Sequence, residues 1–141
     1  MIILDTNVVS ELMRRAPNPD VVAWVDNWPA MELAVTSVTV AEILYGIGRL
    51  DDGQRKATLQ ALAHAMFEED FHGRVLPFGF EAAEVYAGLV GQRERDGLPI
   101  SMADAQIAAI TACHGARLAT RNTRDFAGLP VEVVNPWQEP D

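Results

Sequence analysis

The chain opens on three apolar residues, Ile2, Ile3 and Leu4, and halts abruptly on the carboxylate of Asp5, which Thr6 and Asn7 follow. A short apolar run without polar alternation reads as a strand covered on both faces, the habit of a central strand in a parallel α/β sheet. Asp5 then lies at the strand's carboxyl end, beside the crevice in which open α/β sheets take their ligands. Asp is also a favoured N-cap, and a helix is expected over Val8 to Met13. Capping and chemistry are therefore two open readings of the same residue, and only its neighbours can separate them.

The rest of the chain alternates strand and helix. Pro17 to Pro19 interrupts it, and helical spacing resumes over Asp20 to Trp28, with Val21, Trp24, Val25 and Trp28 on one stripe. Leu33 to Ser37 reads as a second strand, and Val38 to Leu50 as a helix with Val40, Ile43, Leu44 and Ile47 inward. A longer amphipathic helix over Gln54 to Asp70 ends in Glu68, Glu69 and Asp70, a solvated acidic face. Arg74 to Phe78 is a third strand, and Gly79 to Arg95 a helix stopped by Gly97 and Pro99. Ser101 to His114 is a helix buried on most sides. Arg117 to Thr120 and Val131 to Val134 complete five strands. This alternation predicts an α/β fold with one parallel sheet and helices on both faces.

At 141 residues the chain is expected to form one domain, residues 1–141. Its one cysteine, Cys113, excludes an internal disulfide and a CxxC site, and is expected in the core. With neither a signal peptide nor an 18-residue apolar run to be seen, no membrane span and a cytoplasmic location are expected. The net charge is −9, with the single lysine Lys56 against ten arginines. Such a field repels nucleic acid as a whole and favours a basic protein partner, so any RNA site must be local.

Two further acids sit at informative places. Glu42 lies three residues after Thr39 and Asp104 three after Ser101, so each fits a capping box. In a parallel sheet, however, a helix that follows a strand starts at the carboxyl edge, which brings Glu42 towards Asp5. Asp104 points there too if its helix crosses beside the first strand. Asn122, Thr123, Arg124 and Asp125 add polar side chains at the end of the fourth strand. Two carboxylates about 4 Å apart repel by about 4 kcal/mol at an effective dielectric near 20, a penalty that a divalent cation removes. Oxygen donors without a His or Cys cluster suit Mg²⁺ or Mn²⁺ rather than zinc, and phosphodiester hydrolysis is the natural reaction of such a centre. Thr6 and Thr120 are candidates to hydrogen-bond the acids, and Arg117, Arg121 and Arg124 to hold phosphates. His64, His72 and His114 show no metal spacing.

Four blocks carry a resemblance. Ile2-Ile3-Leu4-Asp5-Thr6-Asn7, Ser37-Val38-Thr39-Val40-Ala41-Glu42, Met102-Ala103-Asp104-Ala105, and Ala119-Thr120-Arg121-Asn122-Thr123-Arg124-Asp125-Phe126 resemble the signature blocks of PIN-domain ribonucleases. The likeness is nearest to VapC toxins, the FitB type included, and runs on through Asn135-Pro136-Trp137. It implies a PIN-like, Rossmann-like three-layer fold with a five-stranded parallel sheet, and a Mg²⁺-dependent endoribonuclease of structured RNA. It also implies a homodimer neutralised by a VapB-like antitoxin, touching operator DNA only through that antitoxin. Asp5 and Asp104 match the metal positions and Glu42 the third acid. Where relatives often carry Asp, this chain has Asn122, and Asp125 is the candidate to support the metal while Asn122 orients the loop. Two rival readings are a non-catalytic PIN-like module acting through an antitoxin–DNA complex, and a Mg²⁺-dependent phosphotransfer domain. The second needs a lysine near the phosphoryl group, and Lys56 falls in a polar helix.

Overall fold

The computed structural model describes residues 1–138. Strands β1 (Ile2–Leu4), β2 (Leu33–Thr36), β3 (Val75–Leu76), β4 (Arg117–Ala119) and β5 (Glu132–Val134) form one parallel sheet in the order β3-β2-β1-β4-β5. The opening run of the chain is thus the middle of the sheet, with Ile2 beside Leu33 on one side and Arg117 on the other. Successive side chains of a strand point to opposite faces. Ile2 and Leu4 accordingly enter one half of the core and Ile3 the other, and all three are buried. This is why the run is apolar throughout rather than alternating.

Helices α1 (Thr6–Leu12), α2 (Pro19–Asp26), α3 (Ser37–Gly48) and α4 (Gln54–Ala65) cover the Ile2 and Leu4 face, through Val8, Val9, Val21, Ile43, Ile47 and Ala63. Helices α5 (Phe80–Arg95) and α6 (Met102–Cys113) cover the Ile3 face, and Ala105 and Ile107 to Ile110 of α6 are buried. The chain builds β1, β2 and β3 outward to one side, then crosses back to place β4 and β5 on the other. The change of direction falls between β1 and β4, and their carboxyl ends frame the crevice that such a switch point creates.

The expected elements are present, with shifted ends. The second strand stops at Thr36, because Ser37 already belongs to α3 and the Thr36 hydroxyl caps it by accepting Thr39 N–H at 3.1 Å. The helix expected through Asp70 widens after Ala65 into a π-helical turn over Met66–Asp70. That turn buries Phe67 and leaves Glu68, Glu69 and Asp70 exposed, as expected of a solvated face. The third strand shrinks to two residues, pairing only with Val35 and Thr36. Among the described residues no helix is long and apolar enough to cross a membrane.

Because Ile3 is fully buried at the centre of the sheet, Ile3→Ala should cost about 2 to 5 kcal/mol. Urea denaturation should show a lower midpoint with an unchanged slope. Met31→Ala, on a residue 78% exposed, should stay within about 0.5 kcal/mol of the parent.

Candidate active site

Asp5 leaves β1 in extended conformation and caps α1, its Oδ1 accepting Thr6 N–H at 2.8 Å. The capping reading of the residue is therefore correct, and it accounts for only one of its two oxygens. Oδ2 accepts the Thr120 hydroxyl at 2.7 Å and the Asn7 amide at 3.3 Å. With its proton committed to Asp5, the Thr120 oxygen is left to accept Asn122 N–H at 3.1 Å and the Asn7 amide at 3.3 Å. Asn7 Oδ1 accepts Arg121 N–H at 3.2 Å, which fixes the orientation of its amide. The ends of β1 and β4 are in this way locked to each other around one carboxylate.

A second chain of hydroxyls reaches Glu42. Thr6 donates to Glu42 Oε1 at 2.7 Å and lies 3.0 Å from Thr39 Oγ1, which in turn lies 3.4 Å from Thr36 Oγ1. Since the ionised end of the chain can only accept, the protons run one way: Thr36 donates to Thr39, Thr39 to Thr6, and Thr6 to Glu42. Thr36 and Thr39 are fully buried. An apolar pair would fill that space without the cost of desolvating two hydroxyls, so their presence ties α3 and Glu42 to the end of β1.

Glu42 is not the partner in a capping box. With the helix starting at Ser37 and capped by Thr36, Glu42 falls in the second turn, and its simplest structural explanation is gone. Asp104 is different: Ser101 caps α6 by accepting Asp104 N–H at 3.1 Å, as its spacing predicts. Burial pushes the Asp5 carboxyl up to about 6, against the Thr120 and Thr6 hydrogen bonds, with the charges of Asp104 and Glu42 adding to the rise. The Asp104 carboxyl is also raised, by burial first, with Asp125 and Glu42 contributing. Asp5 therefore lies within electrostatic reach of Asp104 and Glu42, and Asp104 within reach of Asp125 as well. Among the described residues none of them has a basic ion-pair partner; the ion pairs are Met1–Glu32, Arg14–Glu11, Lys56–Asp52 and His64–Glu68.

Among the described residues no group of three or more acidic, histidine or cysteine side chains is placed to hold a metal ion. What fits Mg²⁺ or Mn²⁺ is a smaller, open set of carboxylate oxygens. Mg²⁺ keeps several waters and is commonly held by one or two carboxylates together with substrate phosphates. A buried carboxylate only 3% exposed and without a cation is what such an ion would relieve.

The fourth block forms a short 3₁₀ turn, Thr123–Phe126, with Phe126 buried as its anchor. Asn122 precedes the turn but makes no side-chain cap to it, so the capping role expected of its amide is not seen. Its contribution is its backbone N–H on Thr120. Asp125 is exposed, on the Asp104 side of the cluster. The arginines divide. Arg121, exposed, lays its guanidinium over the Trp137 ring at 5.1 Å, next to the carboxyl edge, and Arg124 is exposed nearby in the turn. Arg117 is not near the centre, contrary to expectation. It begins β4, level with Ile2 and Glu132, and stacks on Trp28 at 5.1 Å. A strand rises roughly 3.3 Å per residue, so four residues carry Arg117 and Arg121 to opposite ends of the sheet.

The remaining tempting residues are elsewhere. Lys56 pairs with Asp52 at 3.0 Å on α4, so the only lysine of the chain is not beside Asp5. His64 pairs with Glu68, and His114 ends α6. The Cys113 thiol is pushed up, by desolvation first and then by Glu81 and Glu84, the wrong direction for a nucleophile. Sequence reasoning had placed Thr6 and Thr120 correctly but missed Asn7, Thr36 and Thr39 as holders of the acids. Three hydroxyl residues directly after an apolar strand, Thr36, Ser37 and Thr39, were the available signal.

Residues 2–131 match the family model of the PIN domain. The chain is 38% identical to VapC ribonuclease Y4jK of Sinorhizobium fredii over 138 residues, covering 98% of this chain and 99% of that one. It is 38% identical to Toxin FitB of Neisseria gonorrhoeae over 139 residues, 99% of this chain and 100% of that one. The structure of FitAB bound to an IR36 DNA fragment superposes at a TM-score of 0.89 with 38% identity, covering 100% of this chain and 99% of that chain.

The raised Asp5 carboxyl sets a pH dependence. The folded state holds this proton more tightly than the unfolded chain, so the stabilisation is fully present below about pH 4 and is lost as pH rises through about 6. In a chelator the urea midpoint of the parent should fall over that window, by at most about 3 kcal/mol from this group. Asp5→Asn should lack this fall and be the more stable form at pH 7. Identical pH profiles for the two proteins would contradict the burial of an uncompensated charge at Asp5.

Proposed function

Because the chain belongs to the PIN-domain family, we propose that it is the endoribonuclease toxin of a VapBC-type toxin–antitoxin pair, hydrolysing RNA phosphodiester bonds with Mg²⁺ or Mn²⁺. Residues 1–141 work as one PIN domain, in the cytoplasm and as a homodimer. A VapB-like antitoxin restrains the activity and carries the complex to operator DNA. One observation supports this reading above the others. A buried carboxylate at the end of the central strand is raised to about 6 beside Asp104 and Glu42, and among the described residues it has no basic ion-pair partner.

Asp5 and Asp104 hold the ion and Glu42 is the third acid. When bound, the divalent cation acidifies a water for in-line attack on phosphorus and neutralises charge on the leaving oxygen. The chain's own residues do the rest. Thr120, Asn7 and Thr6 N–H fix both oxygens of Asp5 in one orientation while leaving a lone pair of Oδ1 unused. The Thr6 hydroxyl holds Glu42 by Oε1 alone, which leaves Oε2 to accept a proton from the attacking water. Arg121 and Arg124 give the acidic molecule a local positive edge for the RNA backbone, since screening confines more distant acidic charge to about 8 Å. Asp125 supports the Asp104 side of the ion, and Asn122 orients the loop through its N–H on Thr120.

Asp5→Asn, Glu42→Gln and Asp104→Asn should each stay folded by circular dichroism and lose RNA cleavage by roughly a hundredfold or more. Wild-type turnover in any one removes that residue from the mechanism. Chelation should abolish cleavage, and Mg²⁺ or Mn²⁺ should restore it. Across a Mg²⁺ titration Asp125→Asn should show a large loss that excess metal partly recovers, and Asn122→Ala a smaller one. The reverse ranking assigns the fourth position to Asn122. A binding-only module would show no calorimetric Mg²⁺ site that disappears in Asp5→Ala.

The charge of −9 predicts how the antitoxin engages. A basic segment, with an arginine reaching the carboxylates, should bind more weakly as salt rises. An affinity unchanged between low and high ionic strength would refute the electrostatic part of this account.

A further inference from the structure

Arg93 sits near the end of α5 and is only 8% exposed. Among the described residues it forms no ion pair with a carboxylate. One guanidinium nitrogen, Nη2, instead donates to two backbone carbonyls, Asp125 O at 3.0 Å and Ala127 O at 2.9 Å. These carbonyls flank Phe126, whose ring is buried in the core. The turn's own support is slight, consisting of short-range backbone bonds such as Asp125 N–H to Asn122 O at 3.1 Å and Ala127 N–H to Arg124 O at 3.2 Å. An arginine buried without an anionic partner costs more than a neutral side chain, and a structural peg between α5 and a surface turn does not require one.

We propose that Arg93 is a positioning residue for the cation site, clamping the backbone on both sides of Phe126 so that the Asp125 side chain faces Asp104. The clamp turns the Asp125 and Ala127 carbonyls towards α5, while Phe126 fills the core between them. The Asp125 side chain is left on the exposed face of the turn, and the turn packs against α6, whose first turn carries Asp104. Without Arg93 both carbonyls lose their buried donor, and the turn is held only by its local bonds and Phe126. The affinity of the site for its ion is thereby made dependent on a residue that touches neither ion nor RNA. This rests on the reading of Asp5, Asp104 and Asp125 as a divalent-cation site.

The test uses the full chain and Mn²⁺ alone, without RNA. Arg93→Met keeps an unbranched apolar stem and removes the donors, and Arg93→Lys keeps a donor. Calorimetry should show Mn²⁺ binding to Arg93→Met weakened roughly tenfold, the scale of losses when a group supporting a metal ligand is removed, and Arg93→Lys should fall between it and the parent. In metal-free protein, hydrogen exchange should quicken at the Asp125, Ala127 and Leu129 amides in Arg93→Met. In an Asp125→Asn background, Arg93→Met should weaken Mn²⁺ binding no further. Parent-like Mn²⁺ affinity in a folded Arg93→Met overturns the proposal, as does an equal loss with and without the Asp125 carboxylate. If Arg93→Met does not fold, Arg93→Lys decides: parent-like affinity with quickened exchange overturns the clamp, and an intermediate affinity that vanishes as an effect in Asp125→Asn sustains it. Asp5→Asn separates the two levels, because Mn²⁺ binding unaffected by that change rejects the cation site itself rather than the role of Arg93.

Discussion

The structure depends on burying a carboxylate that has, among the described residues, no basic ion-pair partner. Asp5 ends the central strand because the switch point between β1 and β4 lies there, and desolvation is the largest influence on its proton. Thr120, Asn7 and Thr6 N–H offset part of that cost and in doing so bind the two central strands together. The same contacts that make the charge tolerable hold it still. A site of this kind trades stability for poise, and the trade is visible in the raised carboxyl rather than in any strained backbone, since among the described residues none other than glycine has a positive φ.

The three layers were legible because β1 is apolar on both faces and helical periodicity separates each strand from the next. The ends of elements were not, and the reasons are local. Ser37 was read into the second strand because Thr36 and Ser37 look alike, whereas the helix starts where a hydroxyl can accept Thr39 N–H. The turn at Met66–Asp70 widens where Phe67 enters the core and three acids stay in water, a compromise that propensity does not encode.

In the candidate site, the approach of Asp5, Glu42 and Asp104 to one another could be foreseen from strand ends and helix starts. Their holders could not, because Asn7, Thr36 and Thr39 are ordinary polar residues until the fold shows which hydroxyl faces which carboxylate. Arg117 illustrates the opposite failure. Nearness in sequence to Arg121 suggested one basic cluster, but an extended strand separates neighbours faster than any other element, and stacking on Trp28 uses Arg117 at the amino end.

The hydrogen bond from Thr120 to Asp5 joins residues 115 positions apart, and β4, which Thr120 directly follows, is the fourth of the five strands in chain order. Synthesis runs from the amino end, so Asp5, Thr6 and Asn7 are made together, whereas Thr120 follows Asp5 by 115 residues. A nascent polypeptide thus has the acid before the hydroxyl that closes its cradle. The buried carboxylate is assembled in two stages, a local one at the start of α1 and a distant one that waits for β4.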